Sequence, residues 1–146
     1  MKNLENNPDK KPMPNFFVKY RVYYEDTDAG GVMYYANYLK FFERSRTDFL
    51  RHLGISQQEL IEKEKLAFVV RRCELDYLRP AKLDDFVEVT VVVEKINAAS
   101  IIMTQEMRKD EMVMARLRVE IASVDVSSFK PKKIADHLRI LLSRAV

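Results

Sequence analysis

Tyr24-Glu25-Asp26-Thr27-Asp28-Ala29-Gly30-Gly31-Val32-Met33-Tyr34-Tyr35-Ala36-Asn37-Tyr38 is the stretch on which the reading of this chain turns. The run before it, residues 16–24, is rich in aromatic and β-branched side chains and reads as a strand. After it the apolar residues recur at helical spacing. Acidic side chains and two glycines therefore lie beside a helix N-terminus. That end carries unpaired N–H groups and partial positive charge, which suit a developing oxyanion. A carboxylate and an oxyanion site in one loop are the two parts that hydrolysis of an acyl group needs.

Downstream, Leu39, Phe42, Phe49, Leu50 and Leu53 repeat every three or four residues, with Lys40, Glu43, Arg44 and Asp48 mostly on other faces. The spacing predicts a helix of about five turns from Tyr35, with one buried face and Gly54 at its stop. Ser56 followed by Glu59 is a capping-box pattern, predicting a second short helix over 57–65. Beyond Leu66 the period becomes two. Strands are predicted over 67–79, ended by Pro80, and over 86–94, where Val87, Val89, Val91 and Val93 share a face. Two more follow, over 100–108 and 112–126, joined by a turn at Lys109-Asp110-Glu111. Residues 134–142 suggest a terminal helix.

Short links between strands imply antiparallel neighbours. The expected fold is α+β, one long central helix wrapped by an antiparallel sheet of about five strands. Long alternating strands leave a sheet edge open, and pairing edges between subunits is one answer, so an oligomer is expected.

A chain of 146 residues is long enough for one domain with its own core, expected over 16–146 behind a polar tail at 1–15. No apolar run approaches the ~20 residues of a membrane span, and the first residues lack an apolar signal core. With a single cysteine, Cys73, an internal disulfide framework is excluded and a cytoplasmic location is expected. Cys73 has no nearby His and reads as a buried structural thiol. The formal charge of +3 is mild, and Lys10-Lys11, Arg71-Arg72 and the lysines at 130, 132 and 133 read as solvated surface. No basic stripe with interleaved aromatics points to nucleic acid. His52 and His137 have no companions at metal-ligand spacing, so no metal is expected. No nucleophile elbow supports a Ser–His–Asp triad.

The segment Arg21 to Val32, followed by Tyr34, Asn37-Tyr38 and Glu43-Arg44, resembles the active-site signature of hotdog-fold acyl-CoA thioesterases. It is similar to the 4-hydroxybenzoyl-CoA thioesterase family and most of all to its Tol–Pal-associated, YbgC-type branch. The resemblance implies hydrolysis of acyl-CoA to free acid and CoA, with no cofactor beyond the CoA of the substrate. It implies Asp28, the second acid of the D-x-D pattern, as the catalytic carboxylate, and the backbone N–H at Tyr35 as the group that polarises the thioester carbonyl. That branch often has His where this chain has Tyr35, so a His side chain has no role here, while any residue except Pro keeps the N–H. The resemblance further implies a homodimer or homotetramer with the site at a subunit boundary, and acyl carrier protein as a possible partner.

Each residue has a plainer reading beside the functional one. An acid such as Asp28 in a turn before a helix also serves as a cap. As a catalyst it acts either as general base on water or as nucleophile, and the sequence leaves both open. Alternation in an extended segment sends Asp26 to the same side as Asp28, with Glu25 facing away. Gly30 and Gly31 permit a tight turn and close approach of a ligand, with Val32 beside them. Tyr34, Tyr35 and Tyr38 either line an acyl pocket or pack against the sheet. Asn37 is expected to hold the loop through its amide, and Glu43, Arg44 and Arg46 to form ion pairs. Two rivals share the scaffold: a non-catalytic binding partner of acyl-carrier or lipid enzymes, which the acid at 28 argues against, and a dehydratase, which would want a His base near the helix start.

Overall fold

The computed structural model describes residues 15–145, so the expected tail lies outside the described residues except for Asn15. Strand β1 (Phe17–Arg21) leads through a 3-10 turn (Tyr24–Asp26) and a loop into helix α1 (Asn37–His52). A short α2 (Gln57–Glu59) continues as a wider π-type turn (Leu60–Glu64). Five strands follow: β2 (Leu66–Tyr77), β3 (Phe86–Thr90), β4 (Val92–Ile96), β5 (Ser100–Lys109) and β6 (Met112–Asp125), and α3 (Asp136–Ser143) ends the fold. All pairings are antiparallel, in the order β1-β3-β5-β6-β2, with β4 also on β5.

The core explains why the sheet curls around α1. Phe41, Phe42, Phe49 and Leu50 on one face of the helix share a buried cluster with Val87, Val89, Val93, Met103, Leu117 and Val119 from the sheet. Burying a side chain of this size contributes roughly 1.5–3 kcal/mol each, ample to fix the helix on the sheet. Leu138 and Leu142 of α3 are buried in the same cluster. Among the described residues no helix is long and apolar enough to cross a membrane.

The architecture is the expected α+β arrangement, with differences of detail that have physical causes. The 86–94 run is two strands rather than one. Val91 leaves the ladder between β3 and β4, and the register against β5 slips again between Val93 and Lys95. Val87, Val89, Val91 and Val93 all remain buried, so the bend leaves the period-two pattern unbroken. The first strand stops at Arg21 because the chain turns through the 3-10 turn. The helix starts at Asn37, two residues later than its periodicity suggests, because Tyr35 and Ala36 form a turn. Phe42, Phe49 and Leu50 are buried as expected, while at the start of the helix Tyr38 and Phe41 are buried and Leu39 is 41% exposed. Gly54, at φ +84°, occupies the left-handed conformation of a helix stop. Ser56 Oγ accepts from the Glu59 N–H at 3.4 Å, the backbone half of the capping pattern.

Cys73 is exposed, not buried. It lies on β2, the last strand of the sheet, which among the described residues has no neighbour on its outer side. Arg71, Arg72, Lys130 and Lys133 are exposed as expected, while Lys132 folds in and donates to the Glu64 carbonyl.

Candidate active site

The acidic loop folds as a small hairpin at the entry to α1. Thr27 bridges Met33, the Asp28 N–H donates to the Val32 carbonyl at 2.9 Å, and the Tyr34 N–H donates to the Asp26 carbonyl at 3.0 Å. Gly31 makes the reversal at φ +76°, a conformation that costs a side-chain-bearing residue free energy. One arm is pinned to the 81–82 segment: Val32 bridges Lys82, and the Met33 N–H donates to the Ala81 carbonyl at 2.7 Å. The loop is therefore held by backbone bonds at both arms.

Asp26 and Asp28 part company within it. Asp26 is buried, with Oδ2 accepting from the Tyr23 N–H at 2.8 Å and Oδ1 from the Asn37 side-chain amide at 2.6 Å. It braces the 3-10 turn against the first residue of α1, and Asn37 holds the loop as expected. The extended alternation that would set the two acids side by side fails because Asp26 belongs to that turn. Asp28 is exposed, and its Oδ1 accepts from the Gly30 N–H at 2.8 Å. A Cβ at Gly30 would stand 3.2 Å from the same oxygen, so the glycine leaves the carboxylate room.

At the helix start the Asn37 N–H donates back to the Tyr34 carbonyl at 2.8 Å. Among the described residues no acceptor meets the N–H groups of Tyr35 and Ala36. Tyr35 follows Asp28 by seven residues, on the other side of the hairpin. The carboxylate and the open amides thus flank one stretch of loop.

The tyrosines divide. Tyr34 and Tyr35 are exposed, their rings 4.7 Å apart, and the hydrogen bond to Tyr35 raises the Tyr34 hydroxyl above its ordinary pKa. Tyr38 is buried edge-on to Tyr77 at 5.0 Å, and its oxygen accepts from the Ala81 N–H at 3.0 Å. Burial pushes its hydroxyl pKa up. Tyr38 is thus packing and a brace for the 81–82 segment.

Two contributors escape the local sequence. Tyr77, at the end of β2, donates its hydroxyl to the Tyr35 carbonyl at 2.6 Å. Arg46 makes no ion pair among the described residues; it donates to Gln105 Oε1 at 2.9 Å instead. Gln105 in turn donates to Ser45 Oγ and to the Phe42 carbonyl, a buried polar network under α1. Among the described residues of one copy Glu43 and Arg44 form no ion pair; Arg44 lies over the Phe41 ring at 5.8 Å. Only long-range contacts reveal these partners. Among the described residues no cluster of His, Cys, Asp and Glu is suited to hold a metal.

Comparison with known proteins places the chain in a family. The profile of the thioesterase-like superfamily matches residues 22–142. The acyl-CoA thioesterase YbgC of Haemophilus influenzae is 46% identical over 116 residues, covering 80% of this chain and 85% of the relative. The acyl-CoA thioester hydrolase YbgC of Escherichia coli is 42% identical over 115 residues, covering 78% and 85%. Among solved structures, a probable thioesterase from Bartonella henselae superposes with a TM-score of 0.78 at 36% identity, covering 82% of this chain and 98% of that one. The 1,4-dihydroxy-2-naphthoyl-CoA thioesterase of Synechocystis shares the fold, with a TM-score of 0.82 at 19% identity over 88% and 95% of the two chains. A family profile spanning most of the chain and relatives this similar over most of their length leave one conclusion: the chain belongs to the thioesterase-like superfamily, with the hotdog fold, in its YbgC-type branch.

Proposed function

We propose that the protein hydrolyses the thioester of acyl-CoA, releasing free acid and CoA, with Asp28 and the amide of Tyr35 as its working groups. The observation that carries this reading is the loop itself: an accessible carboxylate at residue 28 and unbonded N–H groups at residues 35 and 36, fixed to one hairpin. The thioester carbonyl accepts from the Tyr35 N–H, which stabilises negative charge as the carbon turns tetrahedral. Asp28 either takes a proton from the attacking water or attacks the carbon itself. In both routes the C–S bond breaks and the CoA thiolate leaves with its electron pair. One water is consumed: as base, Asp28 directs it onto the acyl carbon; as nucleophile, Asp28 forms an acyl anhydride that the water then hydrolyses, releasing the acid and regenerating the carboxylate. Gly30 and Gly31 let the substrate approach the backbone, and Val32, Tyr34 and Tyr38 stand beside or beneath that path.

The relatives named acyl-CoA thioesterases support the substrate class, and acyl groups carried on acyl carrier protein present the same thioester. The exposed lone cysteine suits a reducing compartment such as the cytoplasm. A homodimer, or a tetramer built from it, is supported by β2, a 12-residue strand with one edge free among the described residues. A long edge bearing exposed Val69, Val70 and Tyr77 is a template for pairing. Antiparallel pairing of two copies about Cys73 sets Arg72 of one strand against Glu74 of the other, so the edge is self-complementary in charge. A thiol-release assay over acyl-CoA esters of differing acyl group tests the activity. Turnover of at least one ester is expected, and affinity without free thiol would instead support a binding partner on the same scaffold.

A further inference from the structure

Between α1 and β2 lies a cavity of about 320 Å³, lined by apolar side chains that include Phe68, Val70, Ile101 and Met103. Its lining also includes Glu43, Thr47 and Gln57, and its one cationic group is the guanidinium of Arg46. Gln105 Oε1 is its one acceptor among the described residues, and no carboxylate stands within ion-pair distance. Burial lowers the Arg46 pKa below its ordinary value, with the charge of nearby Glu43 opposing this. An arginine nevertheless stays charged. Partly buried and bonded to a single neutral acceptor, it has donors left for an acceptor on a ligand. Gln105 cannot turn away, because its amide group already donates to Ser45 and Phe42. The guanidinium is thus held in place with donors to spare.

Within one copy the cavity lies far from the reactive loop. Arg46 follows Tyr35 by eleven residues, about 16 Å along the helix. Tyr35 is tied to Tyr77 at the C-terminal end of β2, whereas Phe68 and Val70 lie towards its start. Antiparallel pairing of two β2 edges about Cys73 reverses this. It sets Tyr77 of each copy beside Phe68–Val70 of the other. Val70, 53% exposed, is one of the residues lining the cavity.

We infer that an acyl group held at Asp28 and Tyr35 of one copy enters the α1–β2 cavity of a second copy, where Arg46 selects acyl groups carrying a hydrogen-bond acceptor at their far end. The inference deepens the thioesterase reading and rests on it. The favoured substrates are amphiphilic: an apolar middle against the cavity wall and a carboxylate, carbonyl or hydroxyl oxygen on the guanidinium.

The test compares kcat/KM for pairs of esters differing only at that end: adipoyl-CoA against hexanoyl-CoA, and 4-hydroxybenzoyl-CoA against benzoyl-CoA. The wild-type enzyme is expected to favour the acceptor-bearing member of at least one pair by about tenfold, the scale of a hydrogen bond to a charged group. Arg46→Met should bring that ratio near one, whereas Arg46→Lys, which keeps a charge, should preserve part of it. A purely structural role for Arg46 would lower both members of a pair alike. Co-expressed Asp28→Ala and Arg46→Met chains then settle the geometry. Each mixed dimer has one site with both groups intact if they come from different copies, and none if they come from the same copy. Recovery of the wild-type ratio is expected. Equal turnover of both members of both pairs by the wild-type protein overturns the inference without any variant, as does a ratio that survives Arg46→Met. A ratio not recovered in mixed dimers overturns the shared site. No thiol release from any ester overturns instead the thioesterase reading beneath it.

Discussion

The Tyr77 hydroxyl donates to the Tyr35 carbonyl at 2.6 Å, joining residues 42 apart in sequence. This bond ties the end of the edge strand to the turn whose amides are left open. Burial first, and then neighbouring titratable groups, raise the Tyr77 hydroxyl above its ordinary pKa, so it keeps its proton at neutral and mildly alkaline pH. Tyr77→Phe removes one hydrogen bond worth about 1 kcal/mol, near fivefold in rate if it serves to aim the Tyr35 amide. Steady-state kinetics should show the loss in kcat, with the melting temperature nearly unchanged.

Gly30 gives a second, more local test. A methyl group there would stand 3.2 Å from Asp28 Oδ1, tighter than ordinary contact, so the carboxylate must shift. The φ of Gly30 is not in the left-handed region, so backbone strain adds little. Gly30→Ala should lower kcat about tenfold through misplacement of the acid. Circular dichroism and the melting temperature should match the wild-type protein.

Asn37 and Asp26 are bonded at 2.6 Å in a buried setting. Asn37→Ala leaves one carboxylate oxygen of Asp26 without that donor, at a cost of about 1–3 kcal/mol. Urea unfolding should show this as a lower midpoint. The double variant with Asp26→Ala should cost less than the sum of the two single changes, because each removes the same bond.

Stability should also depend on acid through Asp85. Partial burial tends to raise its pKa, but the Lys109 ammonium at 2.8 Å and the Lys82 N–H at 2.8 Å outweigh this and hold it below its ordinary 3.8. A carboxyl depressed in the folded state contributes stability above its unfolded pKa, and that contribution is lost as pH falls through the folded value. Between pH 5 and pH 2.5 the urea midpoint of the wild-type protein should therefore fall more steeply than that of Asp85→Asn. Equal slopes would contradict the assignment.

Much of this fold was legible in the residue pattern, and what was hidden shares a cause. Leu39 and Phe41 show the limit of periodicity: the helix was plain, but which residues at its start face the sheet depends on where the turn at Tyr35–Ala36 releases the chain. The bend at Val91 left no trace because its valines stay buried on both sides of it. Cys73 reads as a strand residue, yet only the order of strands decides that its strand has an open edge. At the site, the turn at the glycines and the Asn37 brace follow from the local sequence, while the hairpin that closes over them is set by its bonds to Ala81 and Lys82. Tyr77 and Arg46 do not, since their partners lie 42 and 59 residues away. Asp26 was misplaced because a 3-10 turn of three residues breaks strand alternation without any periodic signal.

The account stands most directly on the carboxylate of residue 28. Thiol release from acyl-CoA should be measured for the wild-type protein, Asp28→Ala and Tyr35→Phe, with melting temperatures alongside. Asp28→Ala is expected to lose at least about 10²–10³ in kcat at unchanged stability. Tyr35→Phe, which keeps the backbone N–H, should stay within about threefold of wild type. Undiminished turnover by Asp28→Ala would contradict the central claim.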